Sequence, residues 1–269
     1  MSDRYSRVTL LPENLYVEGA PVVIAAGALL KDNEEKKMLA QLKIRNIGAN
    51  IIKAVKVQIT SMDVLGNILG DEIEYQYLDL EIARDMDFGA KEPIVLSDAT
   101  TRQFTVRVSE VIFDNGTNWL AGDAEWKPLD PPSLLESALG DFQLAKQYGI
   151  EYGRDSKYLY TKEKDLWWCP CGAINHQNEK LCHRCKKNAD VLEKMDIEDL
   201  KAKRDERVAF EKEQEEQRRK EAAEQAKKIK KIAIIAVPII VICMIFGVII
   251  SGNMKKRDDY NNAIALMEK

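Results

Sequence analysis

Hydrophobic and polar positions alternate along the first half of the chain in a way that predicts strands. Seven short segments, Pro21–Leu30, Met38–Ile47, Ile51–Met62, Ile73–Leu80, Ile94–Ser97, Gln103–Phe113 and Thr117–Leu120, are period-two or continuously apolar and are separated by turn residues. Ala54 to Ile59 and Phe104 to Val108 trade apolar and polar residues one for one, as a sheet with one buried face requires. The breaks carry turn chemistry: Asn46-Ile47-Gly48, Asp63 to Asn67, and Asp114-Asn115-Gly116, whose Asn-Gly pair suits a turn with positive φ. Seven strands in about a hundred residues predict an antiparallel sandwich of immunoglobulin type over residues 1–126.

Beyond Lys127 to Pro132 the period changes. Ser133 followed by Glu136 reads as a capping box, and Leu135, Ala138, Leu139 and Phe142 form an apolar stripe, predicting short helices over 133–149. Residues 151–165 read as a polar linker. Residues 191–231 are rich in Glu, Lys, Arg, Gln and Ala and predict an exposed charged helical spacer, supported by pairs such as Glu216 with Lys220 and Glu224 with Lys228. Ile232 to Ile250 is then free of formal charge, long enough at about 1.5 Å per residue to cross a hydrocarbon core.

The seven basic residues from Arg218 to Lys231 outnumber Lys255, Lys256 and Arg257 on the far side. The positive-inside rule then predicts a single-pass cell-membrane protein with a cytoplasmic N-terminus and an outside tail over 251–269. The first residues carry charges and no apolar run of signal-peptide length.

Composition sharpens this division. The chain of 269 residues has a formal charge of −4, which hides −7 over residues 1–130 and +3 over 131–269. Its averages exclude a multi-span transporter, a collagen-like fibre, a wholly disordered chain and a disulfide-dense secreted scaffold. The sandwich region holds no cysteine, as a reducing compartment allows.

Four of the five cysteines lie in one short run, in which Cys169 and Cys171, then Cys182 and Cys185, form C-x-C and C-x2-C pairs. That pattern predicts a small zinc ribbon over 165–190, with Zn²⁺ held by four thiolates. His176 or His183 in place of one ligand, and a redox pair, are the alternatives. Gly172 supplies the tight turn after the first pair. No catalytic constellation accompanies the site: the only histidines are His176 and His183, no phosphate-cradling glycine loop is present, and carboxylates such as Asp85 and Asp87 fall in turn-like contexts. No small-molecule substrate is evident, so a non-enzymatic protein is expected.

Trp167-Trp168-Cys169, Cys171, Asn175, Cys182 and Cys185 together resemble the RanBP2-type zinc finger, with one residue missing from the first knuckle. The resemblance implies Cys169, Cys171, Cys182 and Cys185 as ligands, Trp167 in the family's Trp place and Asn175 in its Asn place. Some such fingers bind single-stranded RNA. By that analogy Trp167 or Trp168 would stack a base while Arg184, Lys186 and Lys187 meet phosphates. Ubiquitin-binding members carry Thr-Phe after the second ligand, where this chain has Gly172-Ala173.

The whole arrangement is also similar to bacterial single-span membrane proteins, without an assigned reaction, that join an N-terminal β-sandwich, a zinc ribbon and one transmembrane helix. Tyr77 to Leu80, Val111 to Trp119 and Asp165 to Gly172 carry that likeness. The leading expectation is a membrane-anchored adaptor or sensor with a cytoplasmic protein partner; the other is a membrane-tethered binder of RNA or single-stranded nucleic acid.

Overall fold

The computed structural model describes residues 4–267, with side chains described through Lys231 and at scattered positions beyond it. Residues 1–200 form one compact unit and residues 201–269 a second.

The first unit is built mainly of antiparallel sheets, with a few helices. Its eleven N-terminal strands are β1 (Tyr5–Leu10), β2 (Leu15–Tyr16), β3 (Val22–Asp32), β4 (Met38–Asn46), β5 (Ile52–Met62), β6 (Ile73–Tyr77), β7 (Asp87–Phe88), β8 (Ile94–Leu96), β9 (Gln103–Phe113), β10 (Asn118–Leu120) and β11 (Lys127–Pro128). β3 and β4 are the centre of a seven-stranded sheet. The outer edge of β3 is shared by β1 and β2, with β11 beyond β2, and the outer edge of β4 is shared by β8 and β7. The second sheet runs β10-β9-β5-β6.

Both sheets bury their apolar faces in one core, where Ile24, Leu29, Leu42 and Ile44 of the first join Val55, Val57, Ile59, Phe104, Val106 and Val108 of the second. In β9 the inward positions are even-numbered up to Val108, but the next is Val111. The β5–β9 register slips between Lys56 and Val57, which leaves Ser109 as the extra residue of a bulge and moves the buried face by one position.

All seven segments that alternation marks as strands are strands. The edge strands β1, β2, β7 and β11 are additional: β2, β7 and β11 are two-residue pairings with no period to read, and β1 is almost wholly exposed and so has no buried face to mark it.

Two helices follow, α1 (Leu135–Leu139) and α2 (Phe142–Tyr152). The capping box expected at Ser133 does not form. The N-cap of α1 is Leu134 with no side-chain cap, and the capped helix is α2, where Asp141 accepts from the backbone N–H groups of Gln143 and Leu144 at 2.7 and 3.3 Å. Residues 151–165, read as a linker, instead contribute β12 (Thr161–Glu163). That strand joins β13 (Leu166–Trp168) and β14 (Ile174–His176) in a third antiparallel sheet.

Strand alternation gives β13 two different faces. Leu166 and Trp168, with Ile174 of β14, belong to the sandwich core. Trp167 faces the other way, into a cluster of Cys169, Ala173, Cys182, Ala189 and Leu192. One face of the β13–β14 hairpin is therefore part of the sandwich's hydrophobic interior, while the cysteines sit in a cluster of their own on the other face. α3 (Ala189–Glu193), capped by Asn188, ends the module.

The last helix, α4, spans Ile197–Met267. Its stretch from Lys201 to Lys231 is mostly polar and mostly exposed, with i,i+4 pairs Arg207–Glu211 at 3.0 Å and Arg219–Glu215 at 2.7 Å. This corrects the single-pass reading. Among the described residues no helix is long and apolar enough to cross a membrane. A span needs about 20 consecutive apolar residues, whereas the part of α4 whose side chains are described throughout, up to Lys231, is dominated by Glu, Lys, Arg and Gln. Most side chains of 232–250, Cys243 among them, lie outside the described residues, as do nearly all of those in the tail 251–269. The single-pass cell-membrane location and its orientation with the N-terminus inside fall with that reading.

Candidate metal centre

Two turns converge on the four cysteines. The first closes the β13–β14 hairpin. Cys169 N–H donates to Ala173 O at 2.9 Å and Gly172 N–H to Cys169 O at 2.8 Å, while Gly172 takes φ +85° where an added Cβ would meet the Tyr158 ring. The carbonyl of Pro170 accepts from the backbone N–H groups of Lys157 and Tyr158, at 2.7 and 3.1 Å, tying the turn to the segment after α2.

The second turn is Cys182 to Lys187. Lys186 N–H donates to Cys182 O at 2.9 Å and Cys182 N–H to Lys187 O at 2.8 Å, with Lys186 at φ +62°.

These turns place all four Sγ atoms within 4.8 Å of one another, with Cys169–Cys185 at 3.4 Å and Cys171–Cys182 at 3.7 Å. Four sulfurs about 2.3 Å from a central ion at tetrahedral angles would be about 3.8 Å apart, so the set fits a metal ion. None of the four is in a disulfide.

Crowding divides the protons unequally. Contacts with Cys171 and Cys182, together with burial, push the Cys169 thiol far up. Cys171 is pulled down by Cys169 but pushed further up by Cys182 and by burial, to about 11. Cys182, facing Cys169 and Cys171, is pulled far below the usual thiol range. A cation entering the set would displace the protons that remain.

Neither histidine joins the sulfurs. The ring of His183 lies between Asn175 Oδ1, 2.7 Å from Nδ1, and Asp85 Oδ2, 2.8 Å from Nε2. His176 Nδ1 lies 3.8 Å from Asp165 Oδ2.

The framework around the site accounts for the other residues singled out by sequence. Asn175 is fully buried and links the two turns, accepting from His183 N–H at 3.0 Å and donating to Ala173 O at 3.3 Å. Trp167 is 1% exposed, and its indole N–H is shared between His176 O and Glu179 O at 3.1 and 3.0 Å, which fixes the loop leading to the second turn. Trp168 is 5% exposed in the sandwich core. Neither ring offers a face for stacking a base. Arg184 Nε and Nη2 bond Asp85 at 3.1 and 2.8 Å, Lys187 Nζ bonds Asp155 at 2.6 Å, and Lys186 Nζ donates to His183 O at 2.8 Å. The cations expected to meet phosphates are occupied within the fold.

Sequence reasoning missed the sandwich side of this framework. Arg84 forms a two-pronged pair with Glu179 at 2.6 Å on each arm, and Glu179 also accepts from His176 N–H at 2.9 Å. Burial works to raise the Glu179 carboxyl, but the bonds from Arg84 and His176 outweigh it and hold the group below its ordinary range. Asp85 and Asp87 are not free turn carboxylates: Asp85 holds His183 and Arg184, and Asp87 pairs with Arg45 at 2.7 Å and Lys43 at 2.8 Å. On the opposite flank the buried phenol of Tyr16 donates to Asp165, 2.8 and 2.9 Å from its two oxygens, and Gly19 N–H donates to the same carboxylate at 2.9 Å. Burial and the neighbouring Asp165 push the Tyr16 phenol far up, so it stays a donor. Pairings between residues 84 and 179, or 16 and 165, leave no local signal in a sequence.

Comparison with known protein families, with curated proteins and with solved structures finds no match to this chain.

Proposed function

We propose that this chain is a non-enzymatic interaction protein of the adaptor or sensor kind, an immunoglobulin-like sandwich completed by a structural Zn²⁺ ion on Cys169, Cys171, Cys182 and Cys185. The observation that carries this reading is the gathering of four cysteine sulfurs within 4.8 Å of one another. An all-sulfur tetrahedral set suits zinc or an iron–sulfur centre. Zinc is redox-inert and fits a site whose surroundings are devoted to holding two turns in place. Four protein ligands leave no coordination position for water or substrate, so the ion's task is to organise the fold. The buried tryptophans and internally paired cations favour a protein partner over single-stranded nucleic acid.

The test is metal analysis of the purified full chain by mass spectrometry under native conditions, followed by thermal unfolding before and after a strong chelator. Stoichiometric zinc is expected, and its removal should destabilise the whole first unit by several kcal/mol, because β13 and β14 lie in the sandwich core. Iron in place of zinc, no metal, or an unfolding curve indifferent to chelation would refute the proposal.

A further inference from the structure

The pair α1 and α2 carries a feature that the metal centre does not use. Between them and the segment 154–157 lies an open cleft of about 660 Å³. Its apolar wall includes Leu134, Phe142 and Ile150, which are 56%, 67% and 51% exposed. Phe142 belongs to the stripe that the sequence pattern assigns to packing. Leu135 of that stripe is indeed buried with Leu144, Ala145 and Tyr148, but the Phe142 ring stands in solvent at the first position of α2.

The charged side chains of the cleft are mostly of one sign. Lys146, Arg154 and Lys157 line it, against the single carboxylate of Glu136.

We infer that the α1–α2 cleft docks an acidic peptide segment of a partner protein, its large apolar side chains entering beside Leu134, Phe142 and Ile150 and its carboxylates meeting Arg154 and Lys157. The inference rests on the adaptor reading and names its partner class. Exposed aromatic and aliphatic groups beside a cationic rim are the complement of an amphipathic acidic segment: the apolar contacts supply affinity and the rim supplies orientation and choice of partner. A nucleic-acid backbone would answer the rim and leave the apolar wall uncovered. A cleft open along a helix pair also encloses a small molecule poorly, whereas ligand pockets bury about 70–90% of what they hold.

The experiment is fluorescence anisotropy on the full chain. The probe is a labelled synthetic peptide with Glu on one helical face and Leu and Phe at i, i+3 and i+4 spacing on the other. Saturable binding is expected, weakened about tenfold or more by Phe142→Ala and by the double change Arg154→Glu with Lys157→Glu. Both variants alter exposed side chains, and their zinc content and unfolding midpoint should match the wild type. The inference is overturned if the wild type does not bind, if either variant binds as the wild type does, if an equally acidic peptide with Ser at the Leu and Phe positions binds as well, or if single-stranded RNA displaces the probe at lower concentration than unlabelled peptide. Failed binding with zinc retained counts against the cleft alone; binding by a zinc-free chain counts against the metal reading alone.

Discussion

Asp85 of the sandwich and His183 of the second cysteine turn meet at 2.8 Å, Oδ2 to Nε2, across 98 positions of sequence. Asp85 adopts φ +68°, and its backbone N–H is fixed to Asn46 O at 2.8 Å, so the carboxylate is presented from a braced loop. Burial alone would raise this carboxyl; hydrogen bonds from His183 and Arg184 outweigh burial and hold it below the ordinary range. Replacing Asp85 by Ala removes the sandwich's hold on the second turn. The expected cost is about 1–2 kcal/mol, with faster metal release to a chelator. Unchanged release, monitored with a chromophoric chelator, would show that the turn is positioned by other means.

Tyr16 and Asp165 form the opposite anchor. Tyr16→Phe preserves the packing of a fully buried ring but removes a donor from a carboxylate that is itself buried. A loss of about 1–3 kcal/mol is expected by urea unfolding. In a double-mutant cycle with Asp165→Asn the two changes should be strongly non-additive. Additive losses would mean that the pair is not coupled.

Gly172 turns the chain out of Cys171 at φ +85°, and an added Cβ would sit 3.1 Å from the Tyr158 ring. Gly172→Ala should cost more than Gly116→Ala, where φ is +78° but the space is open. The left-handed backbone alone accounts for about 1–2 kcal/mol in each, so the excess at Gly172 reports the contact with Tyr158. Equal losses would locate the whole penalty in the backbone.

Asp32 supplies a pH signature far from the sulfurs. Hydrogen bonds from Arg4, at 3.0 and 2.8 Å, and from the backbone N–H groups of Glu34 and Glu35 hold its carboxyl down to about 2. Since the folded value lies below the ordinary one of about 3.9, the stabilisation is present above about pH 4 and is lost as pH falls through about 2. The gap in unfolding midpoint between wild type and Asp32→Asn should be constant near neutrality and close on acidification. A gap that widened toward low pH would contradict the assignment.

The long strands were legible because alternation at Ala54–Ile59 and Phe104–Val108 reflects a buried and a solvated face, and the cysteine spacing was legible because ligands must cluster. Legibility ended where meaning depended on a distant partner. In Leu166-Trp167-Trp168 the pattern cannot say that the two tryptophans enter different cores, since both neighbouring surfaces are made by other parts of the chain. Trp167 and Asn175 stood out by resemblance, yet their work is internal, holding carbonyls and turns. Ser133 matched a capping motif, but the helix begins later and Asp141 caps the next one. The apolar run at 232–250 was conspicuous by length, whereas the long helix that contains it is charged and exposed up to Lys231, and among the described residues no helix is long and apolar enough to cross a membrane.

The bond from Tyr16 to a carboxylate 149 positions later also sets a timetable for synthesis. When residue 130 leaves the ribosome, every strand of the two large sheets has been made, yet the places of Leu166, Trp168 and Ile174 in their shared interior are still vacant. Closure must wait for the third sheet, whose β13–β14 hairpin is closed by the first cysteine turn. The nascent sandwich is thus exposed longest at the patch that the module will cover. Failure of that hairpin to close would be felt as aggregation of new chains before it was felt as instability of old ones.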